Sequence, residues 1–154
     1  MTTCAWHESR THHGIVLNTS PHRFDRSGAT FGSVFIDQDD PKNLFLFYTG
    51  AQDINWSHAA IGLATSKNGL EFTRASNDPV LEGTSGSFCH KEALTPAVTR
   101  INNLFFMIFS GRPWKWSSRR LGIAYADDPR GPWHIIGELV KPAYLWEGRG
   151  IDNG

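Results

Sequence analysis

The sequence predicts an all-β protein made of four-stranded antiparallel β-propeller blades, about two complete ones with flanking strands on either side. Three observations carry this. A short aromatic-led pattern occurs three times: "FDRSGATFGSVF" from Phe24, "FCHKEALTPAVT" from Phe88, 64 residues later, and "WEGRGIDNG" from Trp146, a further 58 residues on. The stretches between these segments match one another as strand-length apolar runs closed by turn residues. No stretch carries a convincing helical apolar period. A four-stranded unit recurring at such an interval is the mark of a propeller blade, whose twisted sheet buries both faces against its neighbours.

Each element follows in order. Residues 1–22, with "AWHESRTHHGIVL", read as the last strand of a preceding blade, because Trp6 stands before Phe24 much as Phe72 stands before Phe88. Residues 23–87 form the first blade. Its strands are "SVFI" (33–36), "LFLFYTG" (44–50), the run from Ile61 in "IGLATSKNGLEF", and a fourth near Phe72, with a turn at Asn68 and Gly69. Residues 88–145 form the second blade: "AVTRI" (97–101), "FFMIFSG" (105–111), the run from Leu121 in "LGIAYADDPRGPW", and a fourth strand near Trp133. Residues 146–154 begin the next blade. A β-sandwich of about nine strands has the same strand count, but the three matched segments keep their register along the chain, which favours the propeller.

Composition bounds the partners. With 154 residues, 40% hydrophobic and 12% aromatic, the chain is long enough for one domain with a real core. Fifteen basic and fifteen acidic residues cancel, so no overall field draws it to nucleic acid or an anionic membrane, and neither partner is expected. The N-terminal "MTTCAWHESRTHH" lacks the apolar core of a signal peptide, and no apolar run is long enough to span a bilayer, so a soluble, cytoplasmic protein is expected. Cys4 and Cys89 are too few for a disulfide framework. Together with His7, His12, His13 and His90 they match no paired metal-ligand spacing, and no metal site is expected.

Blade geometry nominates a surface. The residues leading into each innermost strand converge on the axis at one end, and the loops between second and third strands return to that end. Aligned on Phe24, Phe88 and Trp146, the lead-in segments bring together Asp25, Cys89 and Glu147, then Gly28, Glu92 and Gly150, then Thr30, Leu94 and Asp152. Two carboxylates facing each other across a pocket are the apparatus of glycoside hydrolysis, although a lone carboxylate at a turn commonly caps a backbone amide instead. The loops "AQDINWSHAA" (51–60) and "RPWKWSSRR" (112–120) add Asp53, Trp56, His58, Arg112, Trp114, Trp116, Arg119 and Arg120. Flat rings beside polar groups suit the C–H face and hydroxyls of a sugar. Aromatics interleaved with arginine also suit single-stranded nucleic acid, and the carboxylates at the mouth weigh against it. Packing between blades is the plainer role for Trp114 and Trp116. Asp37, Asp39 and Asp40 lie in a hairpin at the opposite end and read as a solvated turn.

Together "FDRSGATFGSVF", "LFLFYTG", "IGLATSKNGLEFTRASNDPVL", "LTPAV", "IAYADDPRGPW" and "WEGRGID" resemble the five-bladed β-propeller glycosidases, the group of glycoside hydrolase families 43, 32 and 130. The resemblance runs from about Trp6 to Gly154 and implies a pair of carboxylates at the starts of innermost strands, with an axial cation in some members. It assigns Asp152 in "GIDNG" as the best-matched catalytic carboxylate, Glu92 in "KEALTP" as the second, and Asp25 in the "FD" pair as structural, substrate-contacting or catalytic. A closed ring at about 60 residues per blade needs roughly 300 residues, so the chain supplies about half. Two functions stay open: a glycoside hydrolase, or a portion of one, acting on an oligosaccharide, and a non-catalytic half-propeller that binds sugar or pairs with another chain, a homo-oligomer included, to complete a ring.

Overall fold

The computed structural model describes residues 14–114 and 117–140. Eight strands occur in them: β1 (Gly28–Ile36), β2 (Leu44–Ala51), β3 (Ala59–Ser66), β4 (Thr73–Arg74), β5 (Glu92–Ile101), β6 (Leu104–Arg112), β7 (Arg120–Ala126) and β8 (His134–Val140). Among the described residues there is no helix. β1 to β4 pair in sequence order, as do β5 to β8, all antiparallel. A single parallel pairing of Ala59 with Glu92 joins the two groups. Residues 14–22, the described part of the expected preceding strand, run as turns and irregular chain.

The two units repeat each other residue for residue around their first strands. Gly28 faces Ala51 and Ala29 faces Gly50 in one; Glu92 faces Arg112 and Ala93 faces Gly111 in the other. Each first strand carries a bulge at the same place, between Thr30 and Ser33 and between Leu94 and Ala97. The bulge breaks the two-residue alternation that marks a strand, which is why the sequence shows only 33–36 and 97–101 and hides the residues ahead of them. In the second bulge Thr95 takes φ +50°, and its N–H donates to Thr49 Oγ1 at 2.9 Å.

The recurring aromatic has a steric reason. The ring of Phe24 lies over Gly62 of β3, and that of Phe88 lies over Gly122 of β7; a Cβ on either glycine would collide with the ring. The next residue in each copy, Asp25 or Cys89, presses on Gly50 or Gly111 in the same way. Glycine is needed at these four positions because backbone and side chain approach too closely for anything larger.

The fourth strands differ. β8 is continuous, whereas β4 stops after two residues, and the chain leaves through Ser76, Asn77, Asp78 and Pro79 before Leu81 bridges back to Ile61. Asp78 N–H turns onto Ser76 Oγ, and Pro79 has no N–H to donate, so the ladder is interrupted there.

Both units feed one core. Phe45, Phe47, Ile61, Leu63 and Leu81 pack with Ala93, Met107, Phe109 and Ala124, and Trp133 meets Phe47 edge to face, with ring centres 5.8 Å apart. At the end away from the lead-in segments, Arg100 Nη1 donates to Asp37 Oδ1 at 2.7 Å and to Asp39 Oδ2 at 2.6 Å. These two aspartates are therefore not a merely solvated turn. Because β1 and β5 are neighbours, the β1–β2 hairpin is tied to the second unit by this ion pair. Asp40 instead accepts a hydrogen bond from Asn43 within the hairpin.

Candidate functional site

The starts of β1, β3 and β5 and the ends of β2 and β6 lie in one row, running Gly28, Ala51, Ala59, Glu92, Arg112 across the sheet. The lead-in segments and the loops 52–58 and 113–119 thus share one end. Glu92, the first residue of β5, sits between Ala59 and Arg112 in this row and is fully buried. Arg112 Nη2 donates to its Oε1, and Arg119 Nε donates to its Oε2 at 3.3 Å. Arg112 reaches Glu92 because the two are cross-strand partners; Arg119 arrives from the loop that leads into β7. A buried carboxylate needs such donors. With both oxygens accepting from guanidinium groups, Glu92 anchors the two arginines at the mouth.

Asp25 is the second fully buried carboxylate. Its Oδ2 accepts from Tyr48 Oη at 3.0 Å and from Arg74 Nε at 2.7 Å, while Arg74 Nη2 also donates to the Asn18 carbonyl. Oδ1 is buried with no hydrogen-bond partner among the described residues. Burial, reinforced by the charge of Asp25, pushes the Tyr48 phenol well above its ordinary value. The network ties the lead-in segment to β2 and β4, a structural office for the "FD" pair. Tyr48 and Arg74 were not legible as its partners: one sits inside an apolar run and the other 49 residues away.

The loop residues divide between places. Asp53 Oδ1 accepts from the N–H groups of Asn55 and Ser57 at 2.9 and 3.1 Å; these bonds, led by that of Ser57, hold its carboxyl below the ordinary value. Asp53 Oδ2 lies 4.0 Å from His58 Nδ1. Trp56, at φ +53°, stacks its ring over Gly28, capping the start of β1. His58, Gln52, His90 and Lys91 line a pocket of about 200 Å³ at this end. Trp114 goes elsewhere: 59% exposed, it stands in a lateral cleft with residues 79–88 and β8, away from Trp56. Asp152, Glu147 and Trp116 lie outside the described residues. Among the described residues no group of three histidines, cysteines or carboxylates could hold a metal ion. Asp25 and Glu92 are each engaged by arginine and do not fit an axial cation.

The Glycosyl hydrolases family 32 N-terminal domain matches residues 6–147. No curated protein sequence gives a significant match. Solved structures do. A candidate glycoside hydrolase from Parabacteroides distasonis superposes with a TM-score of 0.71 at 17% identity, over 90% of this chain and 43% of its own. A family 117 glycoside hydrolase from the marine bacterium Zobellia galactanivorans gives 0.63 at 14% identity, over 79% and 41%. The Bombyx mori family 32 β-fructofuranosidase gives 0.60 at 17% identity, over 74% and 24%. The chain therefore spans less than half the length of these relatives, and shares with them an all-β propeller fold. By the domain match across most of its length, the chain belongs to the glycosyl hydrolase family 32 N-terminal domain family.

Proposed function

We propose that the chain forms the saccharide-binding wall of a propeller glycosidase, with Glu92, Arg112 and Arg119 as its centre. The observation that carries this reading is the buried Glu92 at the start of β5, bonded through both oxygens to two arginines beside the convergent loops. Arg112 and Arg119 are fixed there to donate N–H hydrogen bonds to the hydroxyl oxygens of a bound sugar, and His58, His90, Lys91 and Gln52 offer further polar contacts. An oligosaccharide is the ligand class: the Bombyx enzyme has been solved with sucrose, and a Phanerochaete chrysosporium galactanase with β-1,3-galactotriose. The acid and the nucleophile or base of hydrolysis are assigned to Asp152 and to a carboxylate from the rest of the ring.

One observation favours the alternative of a binding module without catalysis. Asp25 and Glu92 are both fully buried and held by arginine, so neither is presented for attack on a sugar. Completion of the ring falls to a partner. Ile108 is exposed on the second unit, and we assign a second copy as its cover, which brings a missing wall to the site. Hydrolysis of aryl glycosides, measured alongside solution mass, tests the whole reading. Turnover by an oligomer that is lost in Asp152→Asn supports it. Turnover by a proven monomer contradicts the need for a second copy, and absence of any saccharide binding by folded protein overturns it.

A further inference from the structure

We infer that the lateral cleft beside β8 is a second saccharide site, adjoining the axial pocket at Pro79 and Glu82 and selective for neutral sugars. The cleft measures about 1010 Å³, room for more than one sugar ring. Its walls are residues 79–88 on one side and Pro113 with Trp114 on the other, with the outer strand β8 between them. Three aromatic rings reach it, and two are committed elsewhere. Trp133 packs on Phe47 and donates its Nε1–H to the Pro129 carbonyl at 3.2 Å. Phe88 covers Gly122 and meets Phe109. Only Trp114 leaves its ring open, at 59% exposure.

Its backbone is tied to Ser117. Ser117 closes a turn onto Trp114, its N–H and Oγ both donating to the Trp114 carbonyl, at 3.0 and 2.7 Å. An exposed tryptophan facing a cleft is a platform for the C–H face of a pyranose or furanose. Glu138 supplies the polar complement. Its side chain is 11% exposed; Oε2 accepts from Arg120 Nη1 at 3.2 Å, and Oε1 is buried without a hydrogen-bond partner among the described residues. A buried acceptor of this kind calls for a donor, and a sugar hydroxyl is one. Thr84 and His134 add polar groups at the rim. The formal charges on the lining are those of Glu82, Glu138 and Arg120, which sum to one negative with His134 neutral. An acidic sugar would meet that negative charge, so the ligand class is a neutral oligosaccharide.

The test is calorimetric titration of the chain with neutral fructo- and galacto-oligosaccharides and with an oligogalacturonate. Expected is a binding event for a neutral oligosaccharide that weakens roughly tenfold or more in Trp114→Ala, is largely kept in Trp114→Phe, and is untouched in His58→Ala at the axial mouth. Near-UV circular dichroism checks that each variant is folded, which the exposure of Trp114 favours. If every event survives Trp114→Ala while one is lost in His58→Ala, the lateral site is overturned and the axial reading stands. Equal binding of the oligogalacturonate overturns the neutral selectivity. Loss of every event in the folded wild-type chain overturns both sites.

Discussion

Phe88 points the tip of its ring at Gly122, into space that any side chain on that residue would need. The same fit holds between Phe24 and Gly62 in the first unit. Gly122→Ala and Gly62→Ala are each expected to cost about 1–3 kcal/mol, as in other overpacked cores. Phe88→Ala should cost more, about 3–5 kcal/mol, by leaving a cavity. Urea unfolding midpoints check these values; a Gly122→Ala variant as stable as wild type would contradict the packing described.

Glu92 joins stability to binding. Glu92→Gln keeps the shape but removes the charge between Arg112 and Arg119, and breaking a buried pair from one side is expected to cost about 3–5 kcal/mol. Arg119→Gln, whose side chain is 35% exposed, should cost far less stability yet weaken saccharide binding at the axial mouth. Thermal melts and titration on the same two proteins separate these effects.

Tyr48 gives an alkaline limit. Its phenol is raised in the fold above the ordinary value of 10.0, so the neutral form is favoured by folding. The resulting stability is complete below pH 10 or so and is lost as the pH rises beyond it. Tyr48→Phe should flatten this alkaline decline while lowering stability near neutrality by about 1 kcal/mol, for the hydrogen bond lost to Asp25. Unfolding followed from pH 7 to 12 reads both.

Asp53 works at the other extreme. Its carboxyl is held below the ordinary value of 3.8 by the loop amides, so its contribution is present above that value and lost as the pH falls below it. Asp53→Ala should remove the acid-dependent part and loosen the loop that carries Trp56 and His58. Amide exchange at Asn55 and Ser57 measures the loosening.

Arg100 clasps the far end. Arg100→Ala should cause a small loss of stability that shrinks with added salt, because the pair with Asp39 is solvent-facing. Saccharide binding should not change, since the clasp lies at the opposite end of the sheets from Glu92. Melts at low and high salt, with one titration, decide it.

How much of this the sequence revealed depended on range. The apolar runs at 44–50 and 105–111 carried their own signal, and β2 and β6 extend them by a residue or so. The lead-in alignment placed Gly28 opposite Glu92 in the repeat, and the ladders keep that register. What stayed hidden was set by tertiary contact. The bulges masked the first residues of β1 and β5, and the interruption after Arg74 shortened β4. The partners of Asp25 and the pairing of Arg100 with Asp37 came from residues dozens of positions away. Trp114 could be placed on the right loop from sequence, but not on the side of that loop where it stands.

The single backbone pairing between Ala59 and Glu92 bears on how the molecule folds. Each four-strand group closes its own hydrogen-bond ladder, so a ladder could zip up alone. Yet Phe47 and Ile61 from the first group share their apolar surroundings with Met107 and Phe109 from the second, so either group alone would expose the surface it now buries. Cooperativity therefore resides in the side chains between the sheets and not in the backbone. Slow amide exchange should accordingly appear in β2 and β6 together, as one unfolding unit that spans the seam.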